Sequence, residues 1–309
     1  MYVFLVRGGN FVNGDLHCHT KLSDGSLGIE DLISLAKKRG LETIAITDHD
    51  CLAGTVRGKI IGERYGVNVI PGVELSATDT QTGKKVHLLC YLSDMPDRLE
   101  GLCHRNSLAR KKAAHIMMLQ AAKKFNLTTE FIIKCATGST NIYKQHIMQA
   151  LMECGYTTSI YGELYDELFS PDSPNSILVT PKYPDIEEVL NAIHDAGGIA
   201  VLAHPFMFDN LDSLPRLIEN GLDGIEVWHP SADEEQQAQL KTLATKNKLI
   251  MTGGTDFHGL YNTQAITLGD VGATEDAVSK LLSYKSRQKR MMKKAQKAAE
   301  AEAQANSAG

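Results

Sequence analysis

Histidine recurs at four separated places in this chain, at three of them beside aspartate. They are Asp15-Leu16-His17-Cys18-His19 with Asp24 close behind, Thr47-Asp48-His49-Asp50, Ala203-His204-Pro205, and Thr255-Asp256-Phe257-His258. Each cluster falls where an apolar, strand-like run is ending. Imidazoles and carboxylates gathered at strand ends cost desolvation unless something binds them. The chemistry these residue types share is coordination of divalent cations, so the chain reads as a metalloenzyme.

Spacing refines this reading. On an extended strand His17 and His19 project from one face about 7 Å apart at Cα, near enough to share an ion. Glu74, ending the run Val67–Glu74, and Asp256, following Leu249–Gly253, arrive from other strands and complete a four-residue set. Asp24, His49 and His258 form a second set, and His87 with His204 and a bridging Glu74 a third. Nitrogen and oxygen ligands without a thiolate favour two or three Mn, Fe or Zn ions in a catalytic cluster over a structural zinc site. Alternation turns Cys18 to the opposite face, where it packs. Asp15 and Asp48 are expected behind the ligands, orienting neighbouring imidazoles, although Asp48 could itself ligate. His229, in Trp228-His229-Pro230 at another strand end, is a candidate for proton transfer or substrate contact. A single histidine is most often a surface or hydrogen-bonded core residue, and His104, His115 and His194 are read that way.

Positioning such residues requires a scaffold of strands. Short apolar runs alternate with amphipathic stretches, the pattern of βα units around a parallel sheet or barrel. Ile29, Leu32, Ile33 and Ala36 mark a helix that stops at Gly40, and Leu41–Thr47 follows as a strand. A helix over 53–65 leads to the strand Val67–Glu74, and Lys85–Leu92 is another strand. Asp185-Ile-Glu-Glu188 reads as a capping box opening a helix that ends at Gly197-Gly198. Ile199–Ala203, Gly224–Trp228 and Leu249–Gly253 are further strands, with helices near 211–219 and 232–246. Residues 97–180 break the rhythm, with helical periodicity at 104–124, 128–136 and 142–153. The domain expectation is therefore a barrel over 1–96 and 181–284, a helical insertion over 97–180 capping the substrate side, and a basic helical or disordered tail over 285–309.

Length and composition agree with this. The 309 residues, 43% hydrophobic and 22% charged, suit an ordinary globular protein. No apolar stretch approaches the ~20 residues of a membrane helix, and the opening Met1–Arg7 makes a poor signal peptide. The six cysteines show no C-x-x-C pair, which suits reduced thiols and a cytoplasmic location. The net charge of −5 is uneven: seven basic residues lie between Lys285 and Lys297, leaving 25 basic and 35 acidic residues in 1–284, or −10. Several of those acids would face metals, so the balance does not exclude an anionic substrate.

The ordered set D-x-H-x-H with Asp24, T-D-H-D, P-G-x-E, A-H-P and G-x-D-F-H resembles the polymerase and histidinol phosphatase (PHP) family of metal-dependent phosphoesterases, over about residues 14–270. The resemblance implies a distorted (β/α)7 TIM-like barrel with up to three metals at the C-terminal ends of its strands. It assigns one ion to His17, His19, Glu74 and Asp256, a second to Glu74, His87 and His204, and a third to Asp24, His49 and His258. Lys144-Gln145-His146-Ile147 looks like the branch acting on nucleotides and short RNA 5′ ends, whose motif usually reads Arg-Pro-His-Ile. Lysine there still holds a phosphate as a point charge but loses the bidentate fork. Arg110 is a second phosphate contact on the same reading, with His146.

The expected reaction is hydrolysis of phosphomonoesters of small nucleotides, a 3′,5′-bisphosphate or a mononucleotide, extending to 5′-to-3′ exonuclease action on short RNA or DNA. The metals would activate water and neutralise phosphate oxygens, with His229 or a bound water protonating the leaving group. Histidinol phosphate is the alternative substrate, whose cationic side chain calls for carboxylates in the pocket. A non-catalytic, metal-binding regulatory module is the alternative of another class, and it predicts missing ligands. A nucleic-acid binder working through the basic tail is a third.

Overall fold

The computed structural model describes residues 13–287. The opening segment and the basic tail from residue 288 on lie outside the described residues. Seven strands form one sheet in chain order: β1 (Gly14–Cys18), β2 (Thr43–Ile46), β3 (Asn68–Thr78), β4 (Lys85–Tyr91), β5 (Ile199–Leu202), β6 (Gly224–Trp228) and β7 (Ile250–Gly253). β4 runs antiparallel to β3 and β5, and every other pairing is parallel. The outer strands meet where the chain leaves β7. The His19 N–H donates to the Phe257 carbonyl at 2.9 Å and the Phe257 N–H to the His17 carbonyl at 3.1 Å. The result is a nearly closed, barrel-like sheet, the distorted barrel that the motifs implied.

Helices α1 (Ile29–Arg39), α2 (Thr55–Tyr65), α7 (Ile186–Asp195), α8 (Leu214–Glu219) and α9 (Glu234–Asn247) connect the strands. In α1 the buried residues are Ile29, Leu32, Ile33 and Ala36, and Gly40 ends the helix at φ 75°, a conformation glycine adopts without a Cβ penalty. At α7 the Asp185 carboxylate accepts from the Glu187 N–H, while the Glu188 carboxylate pairs with Arg105 of the next helix layer. The capping box expected there is thus only half made, because its glutamate has another partner.

Between β4 and α7 the chain forms α3 (Asp97–Phe125), α4 (Thr129–Cys135), α5 (Lys144–Glu153) and α6 (Glu163–Phe169). α3 begins earlier than its periodicity suggested: Leu99, Leu102 and Cys103 pack with Val86, Leu88 and Val189 in the core outside the sheet. Its later residues Ala114, Met117 and Met118 join Ile132, Ile147, Leu151 and Phe169 in a separate apolar cluster. α3 therefore ties the helical segment to the sheet.

β1 departs from simple alternation. Its register with β2 shifts between Asp15 and Cys18, and Leu16 and Cys18, though two apart, pack in different apolar clusters. Such irregularities re-aim side chains near functional sites. The chain continues as a helix from 275 to 287, where Ala277, Val278 and Leu281 close the barrel core with Leu16, Tyr91 and Val201. Lys285, the first residue of the expected tail, pairs with Asp94 at 2.9 Å.

Candidate metal centre

All nine sequence-predicted ligands converge at one end of the sheet. β1 delivers His17, its continuation carries His19 and Asp24, and His49 follows β2. Glu74 lies in β3, His87 in β4, His204 follows β5, and Asp256 and His258 follow β7. His87 stands near the start of its strand because β4 is antiparallel, so its beginning lies beside its neighbours' ends.

Three carboxylates organise the histidines. Glu74 Oε2 lies 3.3 Å from His17 Nε2 and 3.2 Å from His19 Nε2, and Asp256 Oδ1 lies 3.4 and 3.0 Å from the same atoms. On its other side Glu74 Oε1 is 2.5 Å from His87 Nδ1 and 2.8 Å from His204 Nε2, and those two nitrogens are 3.3 Å apart. Asp24 sits 3.3 Å from His258 Nε2 and 3.8 Å from His49 Nε2. Four groups bring candidate donor atoms within 4.8 Å of one another: His17, His19, Glu74 and Asp256; His19, Asp24, His49 and His258; His49, Glu74 and His87; and His17, Glu226 and His229.

Buried donors aimed inward without hydrogen-bond partners test whether metal ions fit. His17 Nε2, His19 Nε2, Asp24 Oδ1, His49 Nδ1, Glu74 Oε2 and Asp256 Oδ1 are all of this kind. A buried polar atom left unpaired costs ~1–3 kcal/mol, and a set of unpaired nitrogens facing unpaired carboxylate oxygens is satisfied at once by divalent cations. The residues fit. His204 and Asp256 also hold φ of 27° and 50°, in the left-handed region where a non-glycine residue costs ~1–3 kcal/mol.

Electrostatics follow from the same crowding. Burial disfavours a charged His17, yet Glu226, Asp256 and Glu74 raise its pKa well above the ordinary value. His19 rises to about 10 against the same penalty, drawn up by the Asp256, Glu74 and Asp24 carboxylates beside it. Burial dominates at His87 and His204 and lowers both. The carboxyls of Asp24, Glu74 and Asp256 resist burial and fall well below their usual range, held by the surrounding imidazoles.

The supporting carboxylates act differently from expectation. Asp15 accepts from the backbone of His17, Thr255 and Gly269 and from the Thr255 hydroxyl, tying β1 to the chain beyond β7 and touching no imidazole. Asp48 accepts from the Thr20 N–H and hydroxyl and from Ser23 Oγ at 2.6 Å. Ser23 Oγ is in turn 3.4 Å from His19 Nδ1, so Asp48 fixes the loop carrying Asp24 and reaches His19 only through that serine. The carboxylate that does hold an imidazole is Glu226, whose Oε1 is 3.0 Å from His17 Nδ1 and whose Oε2 accepts from the His204 N–H at 2.8 Å. Sequence reasoning missed it, although an acid in the middle of Gly224-Ile-Glu-Val-Trp228 was a signal.

His229 is buried and its Nδ1 accepts from the Ser231 N–H at 3.0 Å. In the neutral ring the proton therefore sits on Nε2, which faces Asp256 Oδ2 at 3.7 Å. Cys18 packs away from the cluster with its Sγ near the Asp15 carbonyl, and His194 pairs with Asp223.

Two cavities adjoin the cluster. One of about 290 Å³ is lined by Asp24, His49, Glu74, Asp256, His258 and His229, among others. The second, of about 730 Å³, lies toward the helical segment between Arg110, Tyr143, Tyr165, Lys182 and Tyr183. Lys85, Lys144 and Gln145 line both, and Gln145 Nε2 donates to Asp24 at 3.2 Å. Arg110 donates through Nη2 to Asp50 at 2.7 Å and to Ser76 Oγ at 2.8 Å. His146 is placed elsewhere: its Nδ1 accepts from the Tyr143 N–H at 3.1 Å, capping α5, and its ring lines a separate cavity beside Lys21 and Lys134.

Residues 15–198 match the PHP domain. The chain is 36% identical over 250 residues to a phosphoribosyl 1,2-cyclic phosphate 1,2-diphosphodiesterase of Eggerthella lenta, covering 80% of this chain and 94% of that one. It is 30% identical to the Escherichia coli 5′-3′ exoribonuclease Rnm, with 79% and 84% covered. With a 3′,5′-nucleoside bisphosphate phosphatase of Chromobacterium violaceum the identity is 28%, with 85% and 92% covered. Among solved structures, an inferred metal-dependent phosphoesterase of Bifidobacterium adolescentis superposes with a TM-score of 0.77 at 30% identity, covering 87% of this chain and 95% of the other.

Proposed function

This chain belongs to the PHP family and is a metal-dependent phosphoesterase, and from that premise we propose that it hydrolyses phosphate esters of a phosphorylated ribose, with small nucleotides such as 3′,5′-bisphosphates or mononucleotides as substrates. His17, His19, Glu74 and Asp256 would hold one divalent ion, Glu74, His87 and His204 a second, and Asp24, His49 and His258 a third. The relatives' names carry a phosphoribosyl cyclic phosphate, an exoribonuclease and a nucleoside bisphosphate, which supports this substrate class. The observation that carries the substrate class is local: the cavity opening from the cluster is walled by tyrosines and by Lys85, Arg110, Lys144 and Lys182, and its carboxylate, Asp24, is itself one of the proposed ligands. Such a wall suits an anionic, ring-bearing leaving group and disfavours the cationic side chain of histidinol phosphate.

Divalent ions held by these residues would supply Lewis-acid activation of water and neutralise the phosphate oxygens. The chain's own part is to orient and to move a proton. Glu226 holds the His17 ring by its Nδ1–H, turning Nε2 toward the cluster. The Asp256 carbonyl does the same for His258 at 2.7 Å. His229 Nδ1 lies 2.8 Å from Ser231 Oγ, which can accept from a protonated Nδ1, and in that charged form its Nε2–H is the donor to the departing ester oxygen. Segment 97–180 caps the cavity and selects the leaving group.

The experiment is phosphate release by metal-stripped protein reconstituted with Mn²⁺, across a nucleoside 3′,5′-bisphosphate, a 5′-mononucleotide, a short 5′-phosphorylated RNA, a ribose cyclic phosphate and histidinol phosphate. Release from a ribose phosphate is the expected result. Release from histidinol phosphate alone would reject the substrate class.

A further inference from the structure

Lys85 is the first residue of β4, two before His87, so the strand face that delivers a proposed metal ligand also delivers this ammonium to the mouth of the site. Its neighbour Lys84 is neutralised by Asp209 and Asp212 at 2.9 and 2.7 Å. Lys85 has no such partner. Its Nζ lies over the Phe208 ring, 4.5 Å from the centroid, just as Lys144 Nζ lies over Phe169 at 5.4 Å. Among the described residues no carboxylate comes within ion-pair distance of either. Aromatic faces keep both ammoniums in place without cancelling their charge.

Both lysines stand on the wall shared by the two cavities. Beyond them, lining the second cavity, Arg110 Nη1 and the Tyr143 hydroxyl are buried and have no hydrogen-bond partner, and each residue is only 8% exposed. The Tyr143 ring stacks on His49 with centroids 6.3 Å apart, and the Arg110 guanidinium lies 5.1 Å from the centroid of the same ring. A single ring thus touches both a proposed metal ligand and a buried, half-satisfied guanidinium. Unpaired donors and uncompensated positive charge in the cavity adjoining a phosphoesterase centre call for a second anion on the same substrate.

We propose that Lys85, with Lys144, forms a two-lysine clamp for a second phosphate that stays on the product, Arg110 Nη1 and Tyr143 Oη completing its donors, and that Lys85 is what makes the enzyme prefer bisphosphorylated over monophosphorylated ribose compounds. Two point charges from different elements here do the work of one planar guanidinium. The proposal rests on the ribose-phosphate reading above and adds to it a residue and a preference. The retained phosphate takes no part in bond making: water adds to the other phosphorus, that ester bond breaks, and inorganic phosphate leaves beside a phosphorylated alcohol.

The test compares kcat/KM of the Mn²⁺-loaded full chain for adenosine 3′,5′-bisphosphate and for the two adenosine monophosphates, in wild type, Lys85→Met and Lys85→Arg. Loss of one charge-assisted contact predicts that the preference for the bisphosphate falls about 30-fold in Lys85→Met, mostly through KM, and is largely restored in Lys85→Arg. Equal losses on all three substrates, or an unchanged preference, overturn the clamp and leave the ribose-phosphate reading standing. A metal-loaded wild type that cleaves a generic aryl phosphate but none of the three nucleotides, no ribose cyclic phosphate and no short 5′-phosphorylated RNA overturns both.

Discussion

Glu226 Oε1 lies 3.0 Å from His17 Nδ1, and both side chains are wholly shielded from solvent. The pair joins β6 to β1 across the interior of the nearly closed sheet, and the other Glu226 oxygen accepts from the His204 N–H. One carboxylate therefore sets a ring in one proposed site and a backbone turn in another. Because it holds the Nδ1 proton, the Nε2 lone pair of His17 is left for a cation.

Replacing that carboxylate by an amide keeps its volume and removes its charge. Glu226→Gln is expected to lower metal affinity about 10- to 100-fold, with a matching loss of turnover at limiting metal. Titration of stripped protein with Mn²⁺ followed by phosphate release checks this, and an unchanged half-saturating metal concentration speaks against it.

His229 is assigned to the proton and not to metal. His229→Gln should cost about 10²- to 10⁴-fold in kcat on alkyl phosphates and far less on p-nitrophenyl phosphate, whose leaving group needs no proton. Metal content should stay at the wild-type value. Equal losses on both substrates with fewer bound ions would make His229 a ligand.

The close packing around Asp15 makes a stability prediction. A Cβ at Gly254 would collide with the His17 backbone nitrogen and stand 2.7 Å from Asp15 Oδ1, where the neighbours are backbone and a carboxylate already bonded to Thr255 and Gly269. Gly254→Ala should destabilise the metal-free protein by about 1–3 kcal/mol and weaken metal binding, because His17 must move. Chemical denaturation of stripped protein gives the first quantity, and wild-type stability would show that the turn yields at no cost.

Asp79 offers a pH handle remote from the cluster. Burial alone would raise its pKa, but the Ser213 hydroxyl, the Gln81 N–H and Arg216 bring it from 3.8 to about 2. The folded value is the lower one, so this stabilisation is complete above pH ~4 and disappears as pH falls through about 2. The shift corresponds to about 2 kcal/mol at neutral pH. Denaturation of Asp79→Asn should show that deficit at pH 7 and a shrinking one toward pH 2, whereas a pH-independent difference would assign the loss to packing.

Most of the proposed ligands were legible in the sequence because they are isolated polar residues within or just past apolar strands, where a lone imidazole or carboxylate has no structural use. His17 and His19 were found by a spacing of two, even though β1 does not alternate cleanly. Glu226 escaped because it lies within its strand, where its partner is 209 positions away. His146 was misleading for the opposite reason: its motif neighbours Lys144 and Gln145 line the cavity, but helix capping uses its ring, and only the turn at Tyr143 decides that. Lys85 and Lys84 cannot be told apart in sequence, since the aspartates that neutralise one and spare the other come from the distant turn before α8.

The most direct test of the central claim joins occupancy to activity. Metal-stripped protein should release no phosphate from a nucleoside 3′,5′-bisphosphate, and Mn²⁺ should restore release as two to three ions bind per chain, with His17→Ala and Asp256→Ala binding fewer and remaining inactive. Turnover by stripped protein, or wild-type turnover by either variant, would contradict the account.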